Sequence, residues 1–167
     1  TALEKVITRQ AKSRQNLPVG EKRIDDMDRF GIEVSAMSIN PLWYELEREV
    51  AIKLIDVQNH KLSEICNACP DRFTAYATVS LQFPELAVKQ VEHAIRNLGL
   101  CGVAVGTSVG ETELADRKFD EFWAKCEELQ CLVFIHPLRN APYIRTPRLE
   151  GNGGLPVAIG HPYETTI

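Results

Sequence analysis

The chain has 167 residues, 44% of them hydrophobic and 25% charged, with a formal net charge of −4 at pH 7. That suffices for one domain with a real core, in the balance of an ordinary water-soluble protein. Lysine and arginine are scattered rather than gathered into a basic stripe, the apolar runs are too short to cross a bilayer, and no apolar leader follows Thr1; these features argue against nucleic acid, membrane and secretion.

Residues 1–23 read as an irregular polar segment, and 24–167 as one domain. Ile32 to Ile39 is β-branched and apolar after Gly31, which predicts a strand, and Asn40-Pro41 breaks it. From Trp43 to Ala68, apolar residues recur at helical spacing through Leu46, Val50, Leu54, Leu62 and Ile65. Phe73 to Val79 is the next strand. Pro84 suits a first helical turn, and Leu86, Ala87, Val91, Ala94, Ile95 and Leu98 continue that helix to Gly99 as its cap. Leu100 to Val105 is a third strand. Asp116 can cap a helix whose buried stripe is Phe119, Phe122, Trp123, Cys126 and Leu129.

The fourth strand, Cys131-Leu-Val-Phe-Ile-His136, is an apolar run that ends on a histidine before Pro137. It reads as a buried parallel strand. The last two strand-to-strand steps are 28 and 30 residues. Such a step belongs to a (β/α) barrel, although a doubly wound sheet has a similar rhythm. Both are α/β folds with their sites at the strand C-termini, where a neutral imidazole can bind a metal or move a proton. Beyond Pro137 the chain turns polar and rich in Pro and Gly, and Tyr163 to Ile167 reads as the start of another helix.

The five cysteines are odd in number and lie mostly in apolar patterns, which argues for reduced thiols in a cytoplasmic protein. Cys66 and Cys69 form a CxxC at a helix end, with no second pair to complete a zinc site. His60 and His93 fall within helical patterns, and His161 in a loop. Gly102 to Gly110 lacks the Lys-Ser/Thr of a phosphate loop, and Glu111, Glu113 and Asp116 would repel phosphate. It reads instead as a strand and a mouth loop, with Thr107 at the rim.

Several strings in order carry a family resemblance. Asp25-Asp-Met-Asp-Arg-Phe-Gly-Ile-Glu-Val34, Arg72-Phe73 with Ala77-Thr-Val79, Leu98-Gly-Leu-Cys-Gly-Val103, Val133-Phe-Ile-His-Pro137 and Gly160-His-Pro-Tyr-Glu-Thr-Thr166 are those strings. They resemble the amidohydrolase-related decarboxylases, the family of the aminocarboxymuconate-semialdehyde and γ-resorcylate-type enzymes. The resemblance implies a partial (β/α)8 TIM barrel covering strand–helix units two to five. It implies a divalent metal, zinc first and manganese second, and a small-molecule carboxylic acid substrate. It implies a homodimer or other homo-oligomer.

In that family a His-x-His pair, a middle-strand histidine and a late aspartate hold the metal, and a sixth-strand histidine moves a proton. Only the middle-strand ligand carries over, onto His136. The chain contains no His-x-His; that pair is expected upstream of Thr1, and the later residues beyond Ile167. No catalytic residue can therefore be assigned. Asn40, Thr107 and Arg139 are the candidates for substrate contact. Arg139 stands with Tyr143, Arg145 and Arg148 in the stretch after His136, where a guanidinium can grip a carboxylate. Trp43 reads as a packing residue. The expected activity is non-oxidative decarboxylation. The alternatives are a lactone or amide hydrolase on the same scaffold, or an inactive fragment.

Overall fold

The computed structural model describes residues 20–138 and 156–166. The chain divides into two compact units, residues 1–35 and 36–167. In the first, helix α1 (Glu21–Phe30) ends where Gly31 takes φ of 69°. That left-handed turn lets Ile32 N–H reach Met27 O at 2.8 Å, a closure that favours glycine. The helix begins at Glu21, so the last three positions of the segment expected to be irregular are helical; residues 1–19 of that segment lie outside the described residues.

The second unit holds a sheet of four strands in the order β1 (Ser35–Met37), β2 (Phe73–Thr78), β3 (Gly102–Gly106), β6 (Leu132–His136). Helix α2 (Arg48–Ala68) joins β1 to β2, α3 (Pro84–Arg96) joins β2 to β3, and α4 (Asp120–Glu128) leads into β6. Between β3 and α4 lie a two-stranded hairpin, β4 (Ser108–Val109) with β5 (Thr112–Glu113), and a 3-10 turn at Arg117–Phe119. A π-helical turn (Pro156–Gly160) and a short helix α5 (His161–Glu164) follow.

Strand order separates the two α/β alternatives. A doubly wound sheet reverses direction at a switch point; here the strands follow one another without reversal, and β2–β3 and β3–β6 are parallel. Ala75 and Ala77 of β2 pack with Leu62 of α2 and Ala94 of α3. Val103 and Val105 of β3 pack with Val91 of α3 and with Phe122 and Cys126 of α4. Since Ala77 is in register with Val103, all three helices cover the same face. Helices on one face of a sequential parallel sheet form an arc of a (β/α) barrel.

The helices bury their expected stripes in part: Leu62 is buried as expected in α2, whereas Val50 is 52% exposed and Leu54 and Ile65 are half-buried. In α2 the buried positions are Ala51, Ile55, Asn59, Leu62 and Ser63; in α3 they are Ala87, Val91 and Ala94. Two starts differ from expectation. Helix α2 begins at Arg48 rather than near Trp43, because the Trp43 carbonyl is taken by Leu46 N–H at 3.0 Å and by Gln82 Nε2 at 3.0 Å. Strand β1 spans three residues of the eight expected and sits at the sheet edge. Asp116 does cap, but it caps the 3-10 turn before α4, accepting from Lys118 N–H at 2.9 Å.

The largest correction concerns β6. Its apolar run predicts a buried strand, yet Leu132, Val133, Phe134 and Ile135 are between 39% and 61% exposed. Among the described residues no strand pairs with its outer edge. A parallel strand is buried only when both of its faces and both of its neighbours are in place.

Candidate metal centre at the C-terminal rim of the sheet

His136 is the last residue of β6 and lies in register with Gly106, the last residue of β3. Its Nδ1 is 2.8 Å from the carbonyl oxygen of Pro137. A carbonyl only accepts, so Nδ1 carries the hydrogen, and the Nε2 lone pair is left for a ligand. This is the arrangement by which a backbone acceptor fixes the tautomer of a metal-binding imidazole. The side chain is partly exposed.

The neighbouring rim is held by side chains that bond to backbone. Tyr44 Oη accepts from Gly106 N–H at 3.0 Å. Burial drives its phenol well above the usual range, so it stays protonated. Trp43, buried as a packing residue should be, donates Nε1–H to Val79 O at 2.8 Å. Ser80 N–H donates to Gln90 Oε1 at 2.7 Å. Asn59 reaches from α2 to the end of β2: its Nδ2 donates to Thr78 O at 2.9 Å, and its Oδ1 accepts from Thr78 N–H at 2.8 Å and Oγ1–H at 3.0 Å. The segment Thr78–Leu81 is fully buried with this support.

Small residues on β3 shape the face opposite the helices. Gly102, Ala104 and Gly106 pair with Leu132, Phe134 and His136. With no bulk between them, Tyr76 of β2 stacks on Phe134 of β6 at 5.4 Å, and Phe134 meets His136 edge-on at 6.4 Å. A Cβ on Gly106 would collide with the Leu138 side chain, which therefore lies over the strand end.

Thr107 is buried one residue past β3, beside the His136 end of the pair. Asn40 is half-buried three residues past β1, the strand farthest from β6 in sheet order. Both sit beyond the C-terminal ends of their strands, as expected. Arg139, with Tyr143, Arg145 and Arg148, lies outside the described residues. His60 bonds to Asp56 O at 2.9 Å within α2, and its ring is 6.0 Å from that of His93 on α3, on the helical layer. The loop weighed as a phosphate cradle is the β4–β5 hairpin, turning at Gly110 with φ of 61°.

His136 offers one nitrogen to a divalent ion, and in that respect the rim fits a metal. Among the described residues no group of three or more His, Cys, Asp or Glu side chains could hold one. Structural and catalytic sites take three or more protein ligands. His136 alone does not make such a site among the described residues. Sequence reasoning missed Tyr44, Asn59, Thr78 and the Tyr76–Phe134 stack. Their roles depend on contacts between elements, and the only local signal was a polar Asn on the buried stripe of α2.

Comparison with known proteins fixes the lineage. The Amidohydrolase family model matches residues 22–166. The chain belongs to the amidohydrolase family. Among curated relatives, 2-amino-3-carboxymuconate-6-semialdehyde decarboxylase of Dictyostelium discoideum is 26% identical over 87% of the chain and 40% of its own length. Gamma-resorcylate decarboxylase of Rhizobium radiobacter is 30% identical over 75% of the chain and 41% of its own length. Among solved structures, 5-carboxyvanillate decarboxylase of Novosphingobium aromaticivorans, with bound manganese, superposes with a TM-score of 0.80 at 31% identity, covering 89% of this chain and 43% of that one. A 2,6-dihydroxybenzoate decarboxylase from Rhizobium gives 0.73 at 28% identity, covering 83% and 45%. The chain spans about two fifths of the length of the curated relatives it matches.

Proposed function

We propose that this half-barrel is part of a metal-dependent decarboxylase that removes CO2 from an aromatic or muconate-type carboxylic acid. The observation that carries the reading is His136, a strand-end imidazole with Nδ1 anchored on Pro137 O and Nε2 left for a ligand. Its family relatives support it, being decarboxylases of such acids.

In this reading His136 Nε2 would supply one ligand to a divalent ion, whose chemistry when bound would be Lewis-acid charge stabilisation. Thr107 lies beside His136 at the rim, Asn40 belongs to the loop after β1, and Arg139 follows Pro137–Leu138 as a candidate grip on the carboxylate. Tyr44, Trp43 and Asn59 keep the strand ends in place. The chemistry requires that the carbon bearing the carboxylate gain a proton as the C–C bond breaks and CO2 leaves. The acid that delivers that proton is not among the residues assigned. The bound manganese of the 5-carboxyvanillate decarboxylase favours manganese over zinc as the ion. The decarboxylase relatives favour decarboxylation over the hydrolase alternative. A homodimer and a reducing, cytoplasmic setting belong to the same proposal, the latter supported by five unpaired thiols.

The test uses the polypeptide that carries this half-barrel, loaded with manganese or zinc. Metal content is measured by plasma mass spectrometry, and CO2 release is followed with hydroxybenzoic acids and with lactones. The expected result is CO2 from the acids and a drop in bound metal of about tenfold or more in His136→Ala, typical of losing a ligand or its support. Unchanged metal content in His136→Ala, or ring opening of lactones without CO2, would refute the proposal.

A further inference from the structure

The end of the sheet opposite His136 carries a second chemical feature. Helix α4 closes with a Schellman motif. Gln130 takes φ of 48°, Gln130 N–H bonds to Glu127 O at 3.0 Å, and Cys131 N–H bonds to Cys126 O at 3.2 Å. This motif brings the side chain of the third residue from the helix end against that of the second residue beyond the cap, a contact usually made by two apolar groups. Here both positions are cysteine, and Cys131 packs against the buried cluster that contains Cys126. A left-handed conformation at a non-glycine residue costs energy, so the closure that creates the contact is held against a local penalty.

We propose that Cys126 and Cys131 are a redox-active dithiol that closes to a disulfide across the C-terminal cap of α4. Cys101 lies close enough to act on Cys131, but its thiol is engaged elsewhere. Cys101 donates its thiol hydrogen to Ala75 O at 3.3 Å. Cys66 lies in α2, and Cys69 forms the cap of that helix. Cys126 is 5% exposed, whereas Cys131 is partly open to solvent, so the two have unequal roles. Burial raises both thiols, Cys126 to about 12, which makes direct attack on peroxide slow.

The route is exchange with a small disulfide such as oxidised glutathione. Cys131, as thiolate, attacks one glutathione sulfur, forming a mixed disulfide, and releases one glutathione thiol. Cys126 then attacks the Cys131 sulfur, the intramolecular disulfide forms, and the second glutathione thiol leaves. Two protein thiols are oxidised and one glutathione disulfide is reduced to two thiols, with the protons passing to the leaving groups.

The readout is built into the sequence. Cleavage after Lys125 and Arg139 yields one peptide, 126–139, that contains both cysteines and no other. The polypeptide that carries this half-barrel is equilibrated in glutathione buffers of graded ratio, quenched with an alkylating agent, digested and weighed. The expected result is that peptide 126–139 becomes two hydrogen masses lighter and unalkylated while Cys66, Cys69 and Cys101 stay alkylated. The equilibrium constant for closure should be about tenfold higher in the native chain than in urea, because the cap preorganises the pair. In Cys126→Ser, a Cys131–glutathione adduct should accumulate in place of the disulfide. Alkylation of both thiols throughout, a native constant at or below that in urea, or a Cys101–Cys131 link would overturn the proposal. None of these outcomes bears on metal binding or decarboxylation at the other end of β6.

Discussion

Asn59→Ala should be among the most damaging single substitutions in the second unit. Asn59 is 4% exposed, and its side-chain amide makes three hydrogen bonds to Thr78, itself fully buried. Alanine leaves the Thr78 N–H and C=O without these partners inside the protein. Each buried backbone group so orphaned costs roughly 1–3 kcal/mol, and the small cavity adds to that, giving roughly 3–5 kcal/mol in total. Against a total stability of about 5–15 kcal/mol for a domain, this is a large share. Equilibrium unfolding in urea, followed by circular dichroism, should show a lower midpoint with an unchanged slope. Asn59→Asp sharpens the test. Its carboxylate keeps an acceptor for Thr78 N–H but faces Thr78 O with a second acceptor and a buried charge. Protonation restores the donor, so the folded-state pKa is raised, and stability should recover as pH falls and be lost as pH rises through that pKa. A loss below about 1 kcal/mol for alanine, or an aspartate variant no more stable in acid, would show that water or a shifted backbone satisfies Thr78 and that Asn59 does not hold the strand end.

Tyr44→Phe removes the acceptor of Gly106 N–H, and should cost about 1–2 kcal/mol in the same unfolding measurement with no change in slope. Gly106→Ala should destabilise by about 1–3 kcal/mol through overpacking against Leu138; adding Leu138→Ala should recover most of that loss, and strict additivity in the double-mutant cycle would deny the contact. The Cys126 thiol, raised by burial to about 12, binds its proton more tightly folded than unfolded. Its contribution is therefore complete below its unfolded pKa and fades as pH climbs towards 12, so Cys126→Ala should flatten the alkaline limb of the stability curve relative to the wild type. An identical alkaline limb in the two proteins would contradict that sign.

Which parts of the molecule were legible in sequence follows from the range over which each is determined. The α3 helix is nearly complete from local signals: Pro84 opens it, and Ala87, Val91 and Ala94 line its buried stripe. Its end is a cap at Asn97 with Gly99, at φ of 68°, two residues on. The arc of a barrel followed from the spacing of the strands, but only the sheet order, which is a long-range property, excluded the doubly wound alternative. The start of α2 was misplaced because Trp43 and Leu46 fit a helical period equally well as rim residues. What moved them out of the helix was Gln82, 39 positions away along the chain. The place of His136 at a strand end was legible because a strand end is a local signal. Its anchoring by the next residue's carbonyl depends on the ring's χ angles, which no pattern encodes. The Cys126–Cys131 contact was in principle legible, since five-residue spacing at a helix end is the Schellman spacing. The cue was hidden by Gln130, a residue seldom found at positive φ.

The exposure of β6 and the isolation of the histidine at its end have one physical origin. Val133 and Ile135 share a face with Val103 and Val105, which are fully buried under α3 and α4, yet they remain open. Leu132 and Phe134, on the other face with His136, are open as well. A strand that is apolar on both faces minimises its free energy only when layers close over both. The same closure would bring further strand ends beside His136, and a metal needs several such ends at once. A strand paired with the outer edge of β6 would supply both halves of that closure. Supplying it should bury Phe134 and complete the centre together. A polypeptide in which β6 became buried while His136→Ala left metal affinity untouched would separate the two and refute their common origin.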